Sequence, residues 1–222
     1  MASQSKAVLI TGCSTGIGRA TAEHLAAKGW SVYATARRPD SIQALAQKGC
    51  KTLALDVCDE GSMRAAVEAV ERAEGAVGAR VNNAGYGQEG VFEEVPMAEI
   101  RRQFETNVCG LTLLTKMVLP GMRKQGGGAI VNMSSIASAD PFPGFAAYGA
   151  SKAWINAWTK SLAEEGRAFG IRVYAVAPGA VETRMLRDVF PGFPSDQALD
   201  PMDVANMVFT LTQPECAHAT GA

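Results

Sequence analysis

Short apolar runs and longer amphipathic stretches take turns along most of the chain, and that alternation restricts the fold more than any other feature. AVLITG (7–12) reads as a strand stopped by glycine. GRATAEHLAAKG (18–29) follows, with Ala22, Leu25 and Ala26 on one helical face and Gly29 as the stop. SVYATA (31–36) is a β-branched and aromatic strand, SIQALAQKG (41–49) a short helix, and TLALDV (52–57) a third strand. The segment 60–75 is strongly helical, ARVNNAG (79–85) is a weak fourth strand, and 97–124 is a long helix with a candidate break at Pro120. AIVNMSS (129–135), the helical 151–170 and IRVYAVAPG (171–179) supply strand, helix and strand again. Strands separated by helices in this order build βαβ units, which gives an α/β fold: a doubly wound parallel sheet with helices on both faces. Continuously apolar strands fit a sheet buried on both sides.

A chain of 222 residues, 47% hydrophobic and 19% charged, has the apolar mass for such a core. No repeat, low-complexity tract or linker divides it, so 1–222 reads as a single domain. A net charge of −1 offers nothing to a nucleic acid or an anionic membrane, and no apolar run approaches the roughly 20 residues of a membrane span. The N-terminal apolar run is too short for a signal peptide. Cys13, Cys50, Cys58, Cys109 and Cys216 form no CxxC pair, which suggests a reducing, cytoplasmic setting and small buried hydrophobes rather than disulfides. His24 and His218 have no ligand-like company, so no metal site is expected, and His24 reads as a partly exposed helix residue.

TGCSTGIG (11–18) sits between the first strand and the first helix. Gly12 permits a tight turn, Gly16 lets backbone N–H groups approach a ligand, and Gly18 lets the helix pack on the sheet. The helix N-terminus then attracts a phosphate. A purely structural loop is the competing reading, and the placement favours phosphate binding. The second strand ends in TARRPD, with Arg37 and Arg38 where a carboxylate would select an unphosphorylated ribose. Two guanidiniums can clamp a 2′-phosphate, so NADP(H) is preferred over a still feasible NAD(H), the alternative being that both are merely solvated. In YGASK (148–152), Tyr148 and Lys152 lie four positions apart on one helical face, and a cation beside a phenol lowers its pKa. The plain alternative is a packed tyrosine and a solvated lysine.

Together TGCSTGIG, LDV (55–57), NNAG (82–85), Asn107 in FETNVCG, the serines at 134 and 135, YGASK and APGAVET (177–183) resemble the short-chain dehydrogenase/reductase family, over nearly the whole chain. The likeness is to an NADP(H)-preferring, carbonyl reductase-like member. It implies a Rossmann-type sheet and hydride transfer between a nicotinamide and a carbonyl or hydroxyl carbon of a small molecule. By matching position, it implies that Tyr148 is the general acid or base and that Lys152 lowers its pKa and holds the nicotinamide ribose. Ser135 would then bond the substrate oxygen, with Ser134 pointing the other way, and Asn107 would position the lysine through a water. The same resemblance implies that Gly12, Ser14, Thr15, Gly16, Ile17 and Gly18 form the phosphate turn and that Asp56 and Val57 meet the adenine. Asn83, Ala84 and Gly85 would line the cofactor cleft, and Pro178, Gly179, Val181 and Thr183 would hold the carboxamide.

Three departures from the family pattern carry expectations of their own. Arg80 stands where a buried aliphatic belongs, and it is expected to snorkel out of a shortened strand or to pair with a carboxylate. The sequence closes at ATGA, where relatives continue into another strand, so the last edge strand is expected to be absent or the chain truncated. Trp154 and Trp158 then serve as anchors of a homodimer or homotetramer, or as core. The segment 184–200 is a short lid, flexible about PGFP, and Met185, Leu186, Phe190 and Phe193 with Phe142 and Phe145 suggest an apolar pocket. A 3-oxoacyl thioester reductase, a hydroxysteroid-type dehydrogenase and a non-catalytic NADP(H)-binding or sensing protein remain alternatives.

Overall fold

The structure, a computed structural model, describes residues 4–222. Strands β1 (Ala7–Ile10), β2 (Ser31–Ala36), β3 (Lys51–Ala54), β4 (Ala79–Asn82), β5 (Gly128–Met133) and β6 (Ile171–Val176) form one parallel sheet in the order β3-β2-β1-β4-β5-β6. The helices are α1 (Gly16–Ala27), α2 (Gln43–Ala46), α3 (Glu60–Glu74), α4 (Met97–Phe104), α5 (Gly110–Lys124), α6 (Ala146–Arg167), α7 (Arg184–Val189) and α8 (Pro201–Thr212). None of them is long and apolar enough to cross a membrane.

The doubly wound expectation holds because apolar residues face both ways from the sheet. Val8, Ile10, Val32, Val81 and Val131 pack under Ala22 and Leu25 of α1 and Val204 and Val208 of α8. Leu9, Tyr33, Ile130 and Val173 pack under Met63 and Val67 of α3, Leu114 and Val118 of α5, and Leu162 of α6. The alternation of side chains along each strand sends successive residues to opposite cores. A polar ladder crosses the middle: Asn82 Nδ2 donates to Asn132 Oδ1 at 2.8 Å and to Thr115 Oγ1 at 3.1 Å, and Asn132 Nδ2 donates to Thr159 Oγ1 at 2.9 Å. It ties β4 and β5 to α5 and α6 and sets their register.

Several strands stop earlier than the apolar runs suggest. β3 ends at Ala54 rather than Val57, β4 at Asn82 rather than Gly85, and β5 at Met133 rather than Ser135. The residues beyond these ends leave the ladder and shape the crevice. The helix predicted over 97–124 is not broken at Pro120, which lies within α5; its irregularity is a π-helical turn at Glu105–Cys109. Among the described residues no seventh strand follows β6. Instead Ala175 N donates to Ala222 O and Gly221 N to Val173 O, each at 2.8 Å. The periodicity reading does not assign α8, although Asp200 and Asp203 form a capping box and Pro201 opens the helix. Cys13 and Cys50 are buried as expected, whereas Cys58 and Cys109 are exposed. His24 is half-buried with its ring edge-on to Phe209 at 5.6 Å.

Arg80 overturns its expectation. It is 0% exposed, in register between Leu9 and Ile130 on a central strand covered on both faces, so its stem has no path to solvent. Among the described residues it meets no carboxylate: Nη1 donates to Leu9 O at 3.3 Å, while Nε and Nη2 find no partner there. Burial pushes its pKa down to about 9. Replacing even a buried ion pair with well-packed apolar side chains is neutral or stabilises by ~1–4 kcal/mol, and Arg80 has no counter-charge to offset its desolvation. Arg80→Leu should therefore raise the melting temperature in calorimetry, and a lower value would show that the guanidinium stabilises the core.

Candidate active site

At the carboxyl ends of the strands the chain folds loops against one another at backbone distance. Gly12 (φ 74°) and Gly16 (φ 56°) adopt the left-handed conformation that glycine tolerates. A Cβ on Gly18 would lie 2.4 Å from both Asn83 Nδ2 and Gly12 O, so α1 can approach the NNAG loop only without a side chain there. Asn83 Nδ2 donates to Thr11 O at 2.9 Å and Gly12 O at 3.1 Å. The Thr11 hydroxyl in turn accepts from Asn83 N at 3.2 Å and Ala84 N at 3.1 Å. Thr11 is a positioning residue that the motif reading passes over; a hydroxyl at a strand end next to glycine is the signal that could have found it. Thr15 caps α1 without a side-chain hydrogen bond and the first turn holds no acid, leaving its N–H groups and positive dipole end facing the crevice.

The opposite wall comes from the segment after β6. A Cβ on Gly16 would lie 3.0 Å from Thr183 Cγ2, so Thr183 sits across the glycine loop, while nothing lies within 4 Å of a Cβ on Gly179. Pro178 O accepts from Ile136 N at 3.0 Å, and Val181 is buried. Ser14 and Ile17 are half-buried on the turn, and Ile17 packs on the core. At the far end, Arg37 and Arg38 are exposed just after β2. Neither guanidinium has a partner among the described residues. Asp56 accepts from Cys58 N at 2.9 Å, and the Val57 carbonyl lies 2.2 Å from where a Gly110 Cβ would stand. This seats the 56–57 turn on the start of α5.

Tyr148 and Lys152 lie on one face of α6, the Lys152 Nζ 5.6 Å from the Tyr148 ring centroid. Nζ donates to Met133 O at 2.7 Å, at the end of β5. Asn107 sits in the π-helical turn, buried, with Oδ1 accepting from Tyr86 N at 3.2 Å and Nδ2 donating to Tyr86 O at 3.0 Å and Ser151 Oγ at 3.3 Å. The Gly85 Cβ position is 3.0 Å from Asn107 Oδ1 and 3.7 Å from Lys152 Nζ, so this glycine separates the amide from the ammonium. Ser135 follows β5 and accepts from Ala137 N at 3.2 Å, whereas Ser134 turns inward and donates to Lys152 O at 3.2 Å. Ser151 and Gln103 are also unforeseen: buried Gln103 donates to Tyr86 O at 2.7 Å and accepts from Gln88 N at 2.6 Å, fixing the loop beside Asn107. Phe145 stands edge-on to Tyr148 at 6.2 Å, and Phe142 and Phe190 gather around Phe145 at 6.3 and 5.9 Å.

The electrostatics differ from the sequence expectation. Burial raises the Tyr148 pKa above its usual range, and only the neighbouring Ser135 hydroxyl opposes that. Lys152 does not acidify the phenol here because its ammonium is turned to the Met133 carbonyl and is itself desolvated, its pKa falling to about 8. The site therefore presents two hydroxyls and a buried amine beside an aromatic surface. A glycine turn with free helix N–H groups lies at one end and two unpaired guanidiniums beyond it. These residues suit a dinucleotide: an anion cradle, exposed cations for a further phosphate, and open space beside Gly179.

Residues 6–192 match the family model described as short chain dehydrogenase. A 3-oxoacyl-[acyl-carrier-protein] reductase of Vibrio cholerae serotype O1 is 35% identical over 230 aligned residues, covering 98% of this chain and 94% of the relative. Among solved structures, the 3-ketoacyl-(acyl-carrier-protein) reductase from Brucella melitensis complexed with NADH superposes with a TM-score of 0.90 at 32% identity, covering 97% of this chain and 93% of that one. A levodione reductase superposes with a TM-score of 0.90 at 28% identity, covering 97% and 93%.

The buried amine sets a pH dependence of stability. The Lys152 pKa falls from 10.5 to about 8 on folding, so between those values the unfolded chain binds more protons. Its stabilising contribution is present above the unfolded pKa and lost as pH falls through the folded one. Lys152→Met should be more stable than the parent at neutral pH, and the difference in melting temperature should shrink as pH rises above about 8. A difference that stays constant across that window would show that the amine is not desolvated.

Proposed function

The chain belongs to the short-chain dehydrogenase/reductase family and is an NAD(P)-dependent oxidoreductase, and from that premise we propose that it reduces apolar ketones with NADPH. The observation that carries this reading is the Ser135 and Tyr148 hydroxyl pair, set beside the Lys152 amine and faced by Phe142, Phe145 and Phe190. Both hydroxyls donate to a carbonyl oxygen as negative charge grows on it, and Tyr148 gives up its proton. A phenol held above its ordinary range stays protonated at neutral pH, which is the state that donates to a carbonyl oxygen. Lys152 holds the ribose hydroxyls and Asn107 orients it across Gly85. When bound, the reduced dinucleotide supplies the hydride.

Its phosphates fall to the N–H groups of the turn from Gly12 through Ser14, Thr15, Gly16 and Ile17 to Gly18. Asp56 and Val57 border the adenine, Asn83, Ala84 and Gly85 the cleft floor, and Pro178, Gly179, Val181 and Thr183 the carboxamide. Exposed Arg37 and Arg38 favour a ribose 2′-phosphate and hence NADP(H). Residues 1–222 form one Rossmann-type domain that includes the pocket, and the chain works as a cytoplasmic homodimer or homotetramer. Supporting this are the free thiols and the half-buried Trp154–Trp158 pair stacked at 5.5 Å on α6. The identity to 3-oxoacyl reductases favours a second reading, a 3-oxoacyl thioester substrate, which acetoacetyl-CoA would reveal.

Tyr148→Phe should lower kcat/KM for ketone reduction by about 10²–10⁴-fold, as loss of a general acid does. Parent activity should fall as pH rises through the phenol's raised pKa; undiminished turnover by the variant would remove Tyr148 from the chemistry. Replacing both arginines (Arg37→Glu with Arg38→Glu) should raise KM for NADPH at least about tenfold and leave that for NADH within a few-fold. Equal effects on the two cofactors would remove the phosphate assignment.

A further inference from the structure

The chain leaving β6 makes an excursion and returns to its starting point. Val181 and Leu199 form a parallel bridge, Glu182 N donates to Leu199 O at 2.9 Å, and Leu199 N donates to Ala180 O at 2.9 Å. Between these ends the chain runs through α7 and a 3-10 turn at Ser195–Gln197, and neither element has a buried residue. An excursion without a core of its own opens at little cost unless something else ties it down.

One side chain supplies that tie. From α7, Arg187 donates through Nε to Glu182 Oε1 at 2.7 Å and through Nη2 to Glu182 Oε2. The same guanidinium reaches Phe193 O at 2.6 Å through Nη1 and Ser195 Oγ at 2.7 Å through Nη2. The root of the excursion is thereby joined to its far side by a planar fork gripping a carboxylate. Arg184 on the same helix makes an ordinary surface contact, a 3.4 Å pair with Asp188 at 78% and 64% side-chain exposure, against 30% and 40% for Arg187 and Glu182. Inside the stretch that Arg187 closes lies Phe190, whose ring is 5.9 Å from Phe145 and 6.3 Å from Phe142. Phe145 in turn is 6.2 Å from Tyr148. Phe190 and Phe142 remain 40% and 42% exposed, so the aromatic surface near the phenol is open to a ligand.

We propose that Arg187 is a positioning residue: by clamping Glu182 to Phe193 and Ser195 it keeps the 183–199 excursion folded before substrate arrives and holds Phe190 as a fixed aromatic wall. That wall selects carbonyl compounds bearing an aromatic or bulky flat group over short linear ones, because rings gain edge-to-face contact that a short alkyl chain cannot make. The free protein then needs no ordering of the segment on binding, and the ordering cost is removed from the affinity for the preferred substrate. The selectivity half rests on the reading of Tyr148 as the proton donor; the clamp does not.

The test compares the full chain with Arg187→Ala, Arg187→Lys and Phe190→Leu, and with Arg184→Ala as a control on the same helix. Hydrogen exchange without ligand should show the amides of Leu186, Phe190, Phe193, Gln197 and Leu199 protected in the parent. They should exchange at least about tenfold faster in Arg187→Ala, with α8 unchanged. Arg184→Ala should match the parent, and Arg187→Lys should recover only part of the protection, since an ammonium cannot fork. With NADPH, Arg187→Ala and Phe190→Leu should each raise KM for acetophenone by about tenfold. Their kcat should stay within about threefold, and KM for 2-butanone should change little, as expected for loss of binding without loss of chemistry. Equal exchange in Arg187→Ala and Arg184→Ala, or an unchanged KM ratio in Phe190→Leu, would overturn the proposal. If the parent reduces neither ketone, the reading of its function fails, and the exchange comparison still decides the clamp.

Discussion

All strands of a parallel sheet end at the same edge, and the backbone groups just past that edge have no strand left to pair with. Buried N–H and C=O groups must still be bonded. In this protein side chains take over where the ladder stops. The Thr11 hydroxyl receives the amides of Asn83 and Ala84, and the Asn83 amide reaches back to Thr11 O and Gly12 O. Lys152 caps the last carbonyl of β5, and Ser134 bonds the Lys152 carbonyl in return. Asn107 does the same for both backbone groups of Tyr86. The crevice is built from these repairs, so its polar side chains are held by the same bonds that complete the fold.

Two buried cations show how much the surroundings matter. Both Arg80 and Lys152 lose most of their hydration, and burial lowers both pKa values. Lys152 lies at the edge of the sheet, near a hydroxyl, an amide and a cleft, and it can discharge by losing a proton. Arg80 lies in the middle of the sheet, where one backbone carbonyl at 3.3 Å answers a five-donor guanidinium. The first arrangement suits a group whose charge takes part in chemistry. The second has no such use in the structure, and it leaves Nε and Nη2 without partners among the described residues in the core that carries the crevice.

The alternation of apolar runs and helical stretches was enough to predict the sheet, because a pattern repeated over the whole chain outweighs local ambiguity. Strand ends were less legible: Asn83 to Gly85 look like strand residues but leave the ladder, and Asn83 and Ala84 bond Thr11 instead. The π-helical turn carrying Asn107 has no signature in residue type, whereas Pro120, which does, lies within α5 without ending it. The glycine turn could be found because Gly12 and Gly18 meet backbone that leaves no room for a Cβ and Gly12 and Gly16 have positive φ. Gln103 and Ser151 could not, since the groups that give them a place in the site, Tyr86 and Gln88 for Gln103 and Asn107 for Ser151, lie on other segments of the chain. The direction of the Tyr148 shift also escaped, because i,i+4 spacing says that two groups are close and not how dry they are.

The proposed reactive groups and the proposed selecting groups sit on differently built parts of the molecule. Ser135, Tyr148 and Lys152 are fixed by β5 and α6, which share a core with neighbours on several sides. Phe190 belongs to an excursion with no core, held at its root by one bridge and across its width by one guanidinium. The excursion meets Phe145 through the tilted ring of Phe190, and Phe145 in turn stands edge-on to Tyr148, so a substitution in the excursion leaves the supports of Tyr148 in place. On the function proposed above, that separation ties the chemistry to the core and the choice of substrate to a detachable wall, which is a physical reason why chains with the same sheet and the same tyrosine could act on different carbonyl compounds.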